Sequence, residues 1–212
     1  MKKTFRMMVL ITMALSLSAC KPPSQRKRDV ALFILAHPIA ALAIGKKTHT
    51  AENITSNAVR FAVSVGFKDT EFADGRGTQV NAIRHTLWQA TISSRFSADI
   101  AKAVGDAYEK NSQALETPPD RFYNLHKADE SIDLHNNVIG RQLGTDHPDT
   151  SMKELTRLIL DHDHTHGLWK ATAHEDEAGK PYWTISTKKM ATDDYVHALK
   201  LLDQLNEVGK PK

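Results

Sequence analysis

The sequence predicts a mainly α protein: a multi-helix bundle with one small β-hairpin near the C-terminus. Beyond residue 50, apolar residues recur at helical spacing through most of the chain. Clusters of Gly, Pro, Ser, Thr, Asn and Asp separate these segments. Strict alternation is confined to two short runs on either side of 177–180. The 193 residues from position 20 onward are enough for one domain with its own core.

Residues 30–45 are almost wholly apolar apart from His37 and Pro38, and the run is too short to span a bilayer. It reads first as a buried helix broken at Pro38, and second as a segment lying on a membrane. Residues 53–67 put Ile54, Ala58, Phe61, Ala62 and Val65 on one helical stripe. A loop follows at 69–77, and Thr78 caps a helix to Phe96. Ser97 caps the next, reaching 113, with Ile100, Ala103, Val104 and Ala107 facing inward. Thr117, Pro118, Pro119 and Asp120 break the chain. Helices are expected over 124–143 and 151–166, the second closed by Gly167. Strands over 168–172 and 182–187 form the hairpin, and a last amphipathic helix spans 193–208.

The N-terminus has a different logic. Lys2, Lys3 and Arg6 precede an apolar run from Met7 to Leu17, which ends at Leu17-Ser18-Ala19-Cys20. That layout is a secretory signal rather than a spanning helix. The four residues resemble the lipobox of bacterial lipoproteins. The resemblance implies removal of residues 1–19, acylation of Cys20 with three chains, and a stable membrane anchor. By the same resemblance, Lys21 after the cysteine directs the protein to the outer membrane, facing the periplasm. Cys20 is the only cysteine, so no disulfide supports the fold.

The charge balance follows this division. All three residues of net positive charge lie in 1–19, leaving 25 basic and 25 acidic residues from position 20 onward. Residues 20–29 read as a basic, proline-stiffened tether carrying Lys21, Arg26, Lys27 and Arg28, suited to anionic headgroups. The single helical domain, 30–212, has 21 basic against 24 acidic residues. That balance argues against nucleic acid as a partner.

Candidate chemistry lies on the middle helices. At about 100° per residue, Asn81, Arg84, His85 and Trp88 flank the stripe of Val80, Ile83, Leu87 and Ala90. Farther on, Asp129, Asp133, Asn136, Asn137, Gly140 and Gly144 share one sector about 100° wide, bordered by apolar residues. Carboxylates in such surroundings need a partner or a ligand. Between these helices, Ala101, Gly105 and Glu109 are spaced so that a small-residue groove leads to a carboxylate.

The segments Asn81–His85 with Trp88, Gly105–Glu109, and Asp133–Asn137 with Gly140 and Arg141 resemble an uncharacterised bacterial domain. Its members carry N-A-x-R-H, G-D-A-x-E and D-x-x-N-N-x-x-G-R helices, in lipoproteins and exported toxin-like proteins. The resemblance spans roughly residues 50–170 and implies a shared site, but no substrate. It marks Asn81, Arg84, His85, Glu109, Asp133, Asn136, Asn137 and Arg141.

Two function classes follow. In the first, the protein is a periplasmic hydrolase acting on a lipid or cell-wall component. His85, Glu109 and Asp133 then do acid/base work or hold a divalent ion, while Asn81, Arg84, Asn136, Asn137 and Arg141 bind substrate. In the second, it is a noncatalytic binding or structural envelope lipoprotein whose polar stripes lock helices together. A rival metal site, with His162 and His166 one turn apart, lacks any supporting ligand pattern. P-loop, G-x-G-x-x-G and G-x-S-x-G motifs are absent, so nucleotide binding and serine-elbow hydrolysis have no support.

Overall fold

Helix starts follow the polar residues that the sequence offers as caps. A computed structural model describes residues 25–65, 75–108 and 119–212, and among these it contains eight helices and one two-stranded sheet. Helices α1 (Gln25–Ala36) and α2 (Pro38–Ile44) part at His37, because proline disfavours helical geometry in the residue before it. Asn53 caps α3 (Ile54–Ser64) by accepting the Ser56 N–H, and Thr78 caps α4 (Gln79–Arg95) by accepting the Asn81 N–H. Ser97 does the same for α5 (Ala98–Tyr108) through Ile100. Asn124 and Ser151 start α6 (Leu125–Asp146) and α7 (Met152–Thr165).

Gly167, at φ 89°, ends α7 and turns the chain into β1 (Leu168–Glu175). That strand pairs antiparallel with β2 (Pro181–Lys188), Ala171 opposite Ile185. Helix α8 (Thr192–Asp203) ends at Asp203 rather than running on to Val208. The Asn206 side chain accepts the N–H groups of Val208 and Lys210, and Leu205 bridges back to Pro211. A local side-chain acceptor thus outcompetes another helical turn.

Helix α4 is the centre of the bundle, contacted by α3, α5, α6, α7 and β1. Phe61, Ile83, Leu87, Ile92, Ile132, Leu155, Ile159 and Leu160 are fully buried around it. Its closest neighbour is α6, which lies almost backbone to backbone against it. A Cβ on Gly140 would overlap the Thr86 carbonyl, and one on Gly144 the Ala90 carbonyl. Those glycines therefore set the interhelical distance.

Two inward faces differ from expectation. On α5, Ala101, Val104 and Ala107 are buried but Ala103 is exposed, because Gly105 turns towards Gln89 of α4 and rotates the helix accordingly. Along 30–45, Phe33, Ala40 and Ile44 are buried whereas Leu35, Ile39 and Leu42 are exposed, so the segment covers the core with only one side. No helix among the described residues is long and apolar enough to cross a membrane.

Candidate functional site

The polar faces of α4 and α6 meet in a buried network. Asp129 accepts hydrogen bonds from the Gly77 N–H at 2.7 Å and from Asn81 Nδ2 at 2.9 Å. Asn81 Nδ2 also donates to Asp133 Oδ1 at 2.8 Å, so one carboxamide joins the two carboxylates. Its oxygen accepts from Arg84. Arg76 approaches the other side of Asp129 at 3.9 Å. Burial still pushes the Asp129 carboxyl above the usual carboxylate range.

From this closed layer the site opens outward. Arg84 Nη2 lies 3.0 Å from His85 Nε2, and the same nitrogen is 3.3 Å from Asp133 Oδ2. Arginine only donates, so the resting ring presents its Nε2 lone pair and carries its proton on Nδ1. Burial and the neighbouring Arg84 guanidinium push the His85 pKa down to about 3, which keeps the ring neutral, while Asn137 favours the charged form. Both His85 Nδ1 and Asn137 Oδ1 are buried without a hydrogen-bond partner among the described residues. In this tautomer one is a donor and the other an acceptor, and Asn137 is the neighbour that favours the charged ring.

Arg84, His85, Asp129 and Asp133 line one end of a cavity of about 790 Å³. Val30, Phe33, Ile44, Ala58, Val59 and Trp88 supply an apolar wall, and Arg26, Lys46 and Lys47 are basic residues along the same cavity. The arrangement pairs a proton-accepting nitrogen and a guanidinium with a carboxylate beside an apolar trough. Acid/base chemistry next to an apolar substituent is what such a cleft can do. The described residues include no cluster of three His, Cys, Asp or Glu side chains placed to hold a metal ion.

Of the residues singled out from sequence, His85, Arg84 and Asp133 meet at the cavity. Asn81 and Asn137 lie buried directly behind them. Asn136 faces elsewhere: its side chain clamps Trp169 of β1, donating to the carbonyl and accepting the N–H, both at 3.0 Å. Arg141 reaches Gln89 at 3.3 Å, outside the cavity lining. Glu109 and Cys20 lie outside the described residues. His135 turns away and stacks on Trp169 at 4.1 Å.

Sequence reasoning placed Asp129 in the polar sector without giving it a role, and missed the contribution of α1 and α2 entirely. Their approach to α3 and α5 is long-range and leaves no periodic signal. The histidines of 162–166 are engaged otherwise: His162 stacks on His166, and His164 on Tyr195.

The fold and the site define a helical domain with a buried polar seam opening into an amphipathic cleft. The chain belongs to the family described as Domain of unknown function (DUF6973), whose model matches residues 31–167. That span takes in Arg84, His85 and Asp133 and stops before the hairpin. No curated protein and no solved structure matches the chain.

Proposed function

We propose that this protein is a hydrolase of the bacterial cell envelope, anchored by lipid at Cys20 and facing the periplasm from the outer membrane. It acts on an ester of an amphipathic lipid. The observation that carries the reading is the contact of His85 Nε2 with Asp133 in a cavity that also has an apolar wall. In the reaction, Arg84 swings away from Nε2, which lifts one of the two causes that hold the ring's pKa down, and a water oxygen bonds to the ester carbonyl carbon as its proton passes to Nε2. The imidazolium then donates to Asp133 Oδ2, turning a 3.3 Å contact into a charge-assisted bond. The carbonyl electron pair moves to oxygen, where Arg84 meets it. Collapse breaks the bond to the alcohol oxygen, which takes the proton from Nε2, giving acid and alcohol. Asn137 steers the ring through Nδ1–H.

The test is turnover of p-nitrophenyl acyl esters of graded chain length, and of phospholipid vesicles, by the chain from Lys21 onward. His85→Ala and Asp133→Asn should each lower the rate at least about 100-fold while Tm stays within about 4 °C. Absence of turnover across the panel, or full activity in His85→Ala, overturns the reading.

A noncatalytic binding or structural lipoprotein is the second reading, favoured by the satisfied layer of Asn81, Asp129 and Gly77 and by the Asn136 clamp on Trp169. It requires instead that both substitutions lower Tm sharply with no turnover to lose.

A further inference from the structure

Exposed apolar side chains are not spread evenly over the molecule. Leu42 is 83% exposed, Leu35 and Ile39 78%, Leu32 63% and Ile34 49%, all within α1 and α2. The other large exposed apolar side chains among the described residues are scattered: Val63, Val138 and Val196 sit on three other helices, and Tyr123 just before α6. Single exposed apolar residues are ordinary, whereas a contiguous set marks a contact surface. The core does not need these five, because Phe33, Ala40 and Ile44 of the same helices already cover it.

Charge identifies the partner. Arg26, Lys27 and Arg28 occupy the first turns of α1, and Lys46 and Lys47 follow α2; all five are exposed. The only acidic residue between Gln25 and Lys47 is Asp29. Apolar side chains flanked at both ends by cations match a bilayer carrying anionic headgroups, with leucines entering the acyl boundary and lysines meeting phosphate. A protein partner of that size would be expected to meet a more mixed rim.

We infer that the exposed face of α1 and α2 docks on an anionic lipid bilayer. Position along the chain agrees: Cys20 lies five residues before Gln25, a span of at most about 17 Å when extended. Arg26, Ile34, Lys46 and Lys47 also line the cavity, so a bilayer seated on this face meets it directly. An amphiphile would reach the cleft from the membrane without crossing bulk water. Docking does not depend on hydrolysis, and the His85→Ala chain docks equally.

Cosedimentation of the chain from Lys21 onward with vesicles tests this, since that chain holds every described element and carries no acyl anchor. Phosphatidylcholine vesicles containing phosphatidylglycerol should bind it, and phosphatidylcholine alone should bind it weakly. Leu35→Ser with Leu42→Ser should lower partitioning at least about tenfold, with an unchanged Tm because both side chains are exposed. Lys46→Gln and Lys47→Gln should each cost about fivefold on anionic vesicles and leave binding to phosphatidylcholine unaltered. Failure to bind anionic vesicles overturns the inference, as does binding indifferent to the leucines. Sedimentation velocity supplies the remaining alternative: a dimer dispersed by the leucine substitutions would assign the face to self-association instead.

Discussion

Two buried aspartates, Asp163 and Asp133, show how the same side chain is held either as a structural lock or beside an open cavity. Asp163 is wholly buried at the end of α7, and each of its oxygens is held by a fixed donor. Oδ1 accepts the Leu168 N–H at 2.9 Å and faces Lys170 Nζ at 3.3 Å, while Oδ2 accepts from Gln79. Its charge is matched by a lysine, itself anchored to the Lys188 carbonyl. Asp133 accepts from Asn81 at Oδ1, and its Oδ2 faces a neutral ring that shares an arginine. The first aspartate's partners only donate, whereas the second's is a ring nitrogen that can either accept or donate. Partners that only donate produce stability, and a partner that can do either leaves room for chemistry.

Removing the partner in each region gives the largest contrast. Lys170→Met leaves Asp163 a buried charge without its counter-ion, at a cost of about 3–5 kcal/mol. A drop in Tm on the order of 10 °C by circular dichroism is expected. His85→Ala should cost about 1 kcal/mol or less, because Asp133 keeps Asn81 and borders a solvent-accessible cavity. Equal losses in the two variants would erase the distinction between lock and site.

A smaller effect tests the seam that brings His85 to Asp133. Gly140→Ala must push α6 away from the Thr86 carbonyl, with an overpacking cost of about 2 kcal/mol. Urea unfolding measures that cost. Lys170→Met, at the far end of the Asp163 lock, should leave esterase activity per folded molecule unchanged, whereas Gly140→Ala should lower it beyond its stability loss. The reason is that α6 carries Asp133 and α4 carries His85. Activity that tracks only the folded fraction in both variants would show that the seam's spacing has no bearing on the pair.

The difference between these regions was partly legible in the chain. Asp133 stands in a polar sector shared with Gly140 and Gly144 and bordered by apolar residues, so a site on this face could be anticipated, whereas the close packing of α4 on α6 could not. Caps at Asn53, Thr78, Ser97, Asn124 and Ser151 fixed the helix starts because a side-chain acceptor acts within three residues. Asn136 was misleading for the same reason that Asp133 was informative. Both face the polar sector, and only the position of Trp169, 33 residues on, decides that Asn136 is spent on a backbone clamp. The apolar wall from α1 and α2 had no local signature, since hydrophobicity alone does not say which side of a short helix is covered. Asp163 lay in a run of histidines that drew the eye to metal binding, while its real partners, Gln79 and Lys170, come from other elements.

The pH dependence is the effect most specific to the site. His85 has its folded pKa pushed down to about 3 from an ordinary 6.5, so the folded ring resists a proton that the unfolded chain accepts. The stability this represents is complete above pH 6.5 and is lost as pH falls from there towards 3. Asp129 has the opposite sign. Its raised pKa makes the folded state hold a proton more readily, so its contribution is present below its ordinary 3.8 and declines as pH rises. Urea midpoints measured from pH 7 down to pH 4 should therefore fall for the unsubstituted chain by an amount on the order of 2 kcal/mol, with Asp129 offsetting part of the loss. His85→Gln, which keeps a polar group of similar size and cannot titrate, should flatten that slope and leave the Asp129 trend exposed. An acid slope that survives His85→Gln unchanged would mean that the ring is not held neutral by its surroundings. The comparison between a fixed and a responsive aspartate would then lose its physical basis.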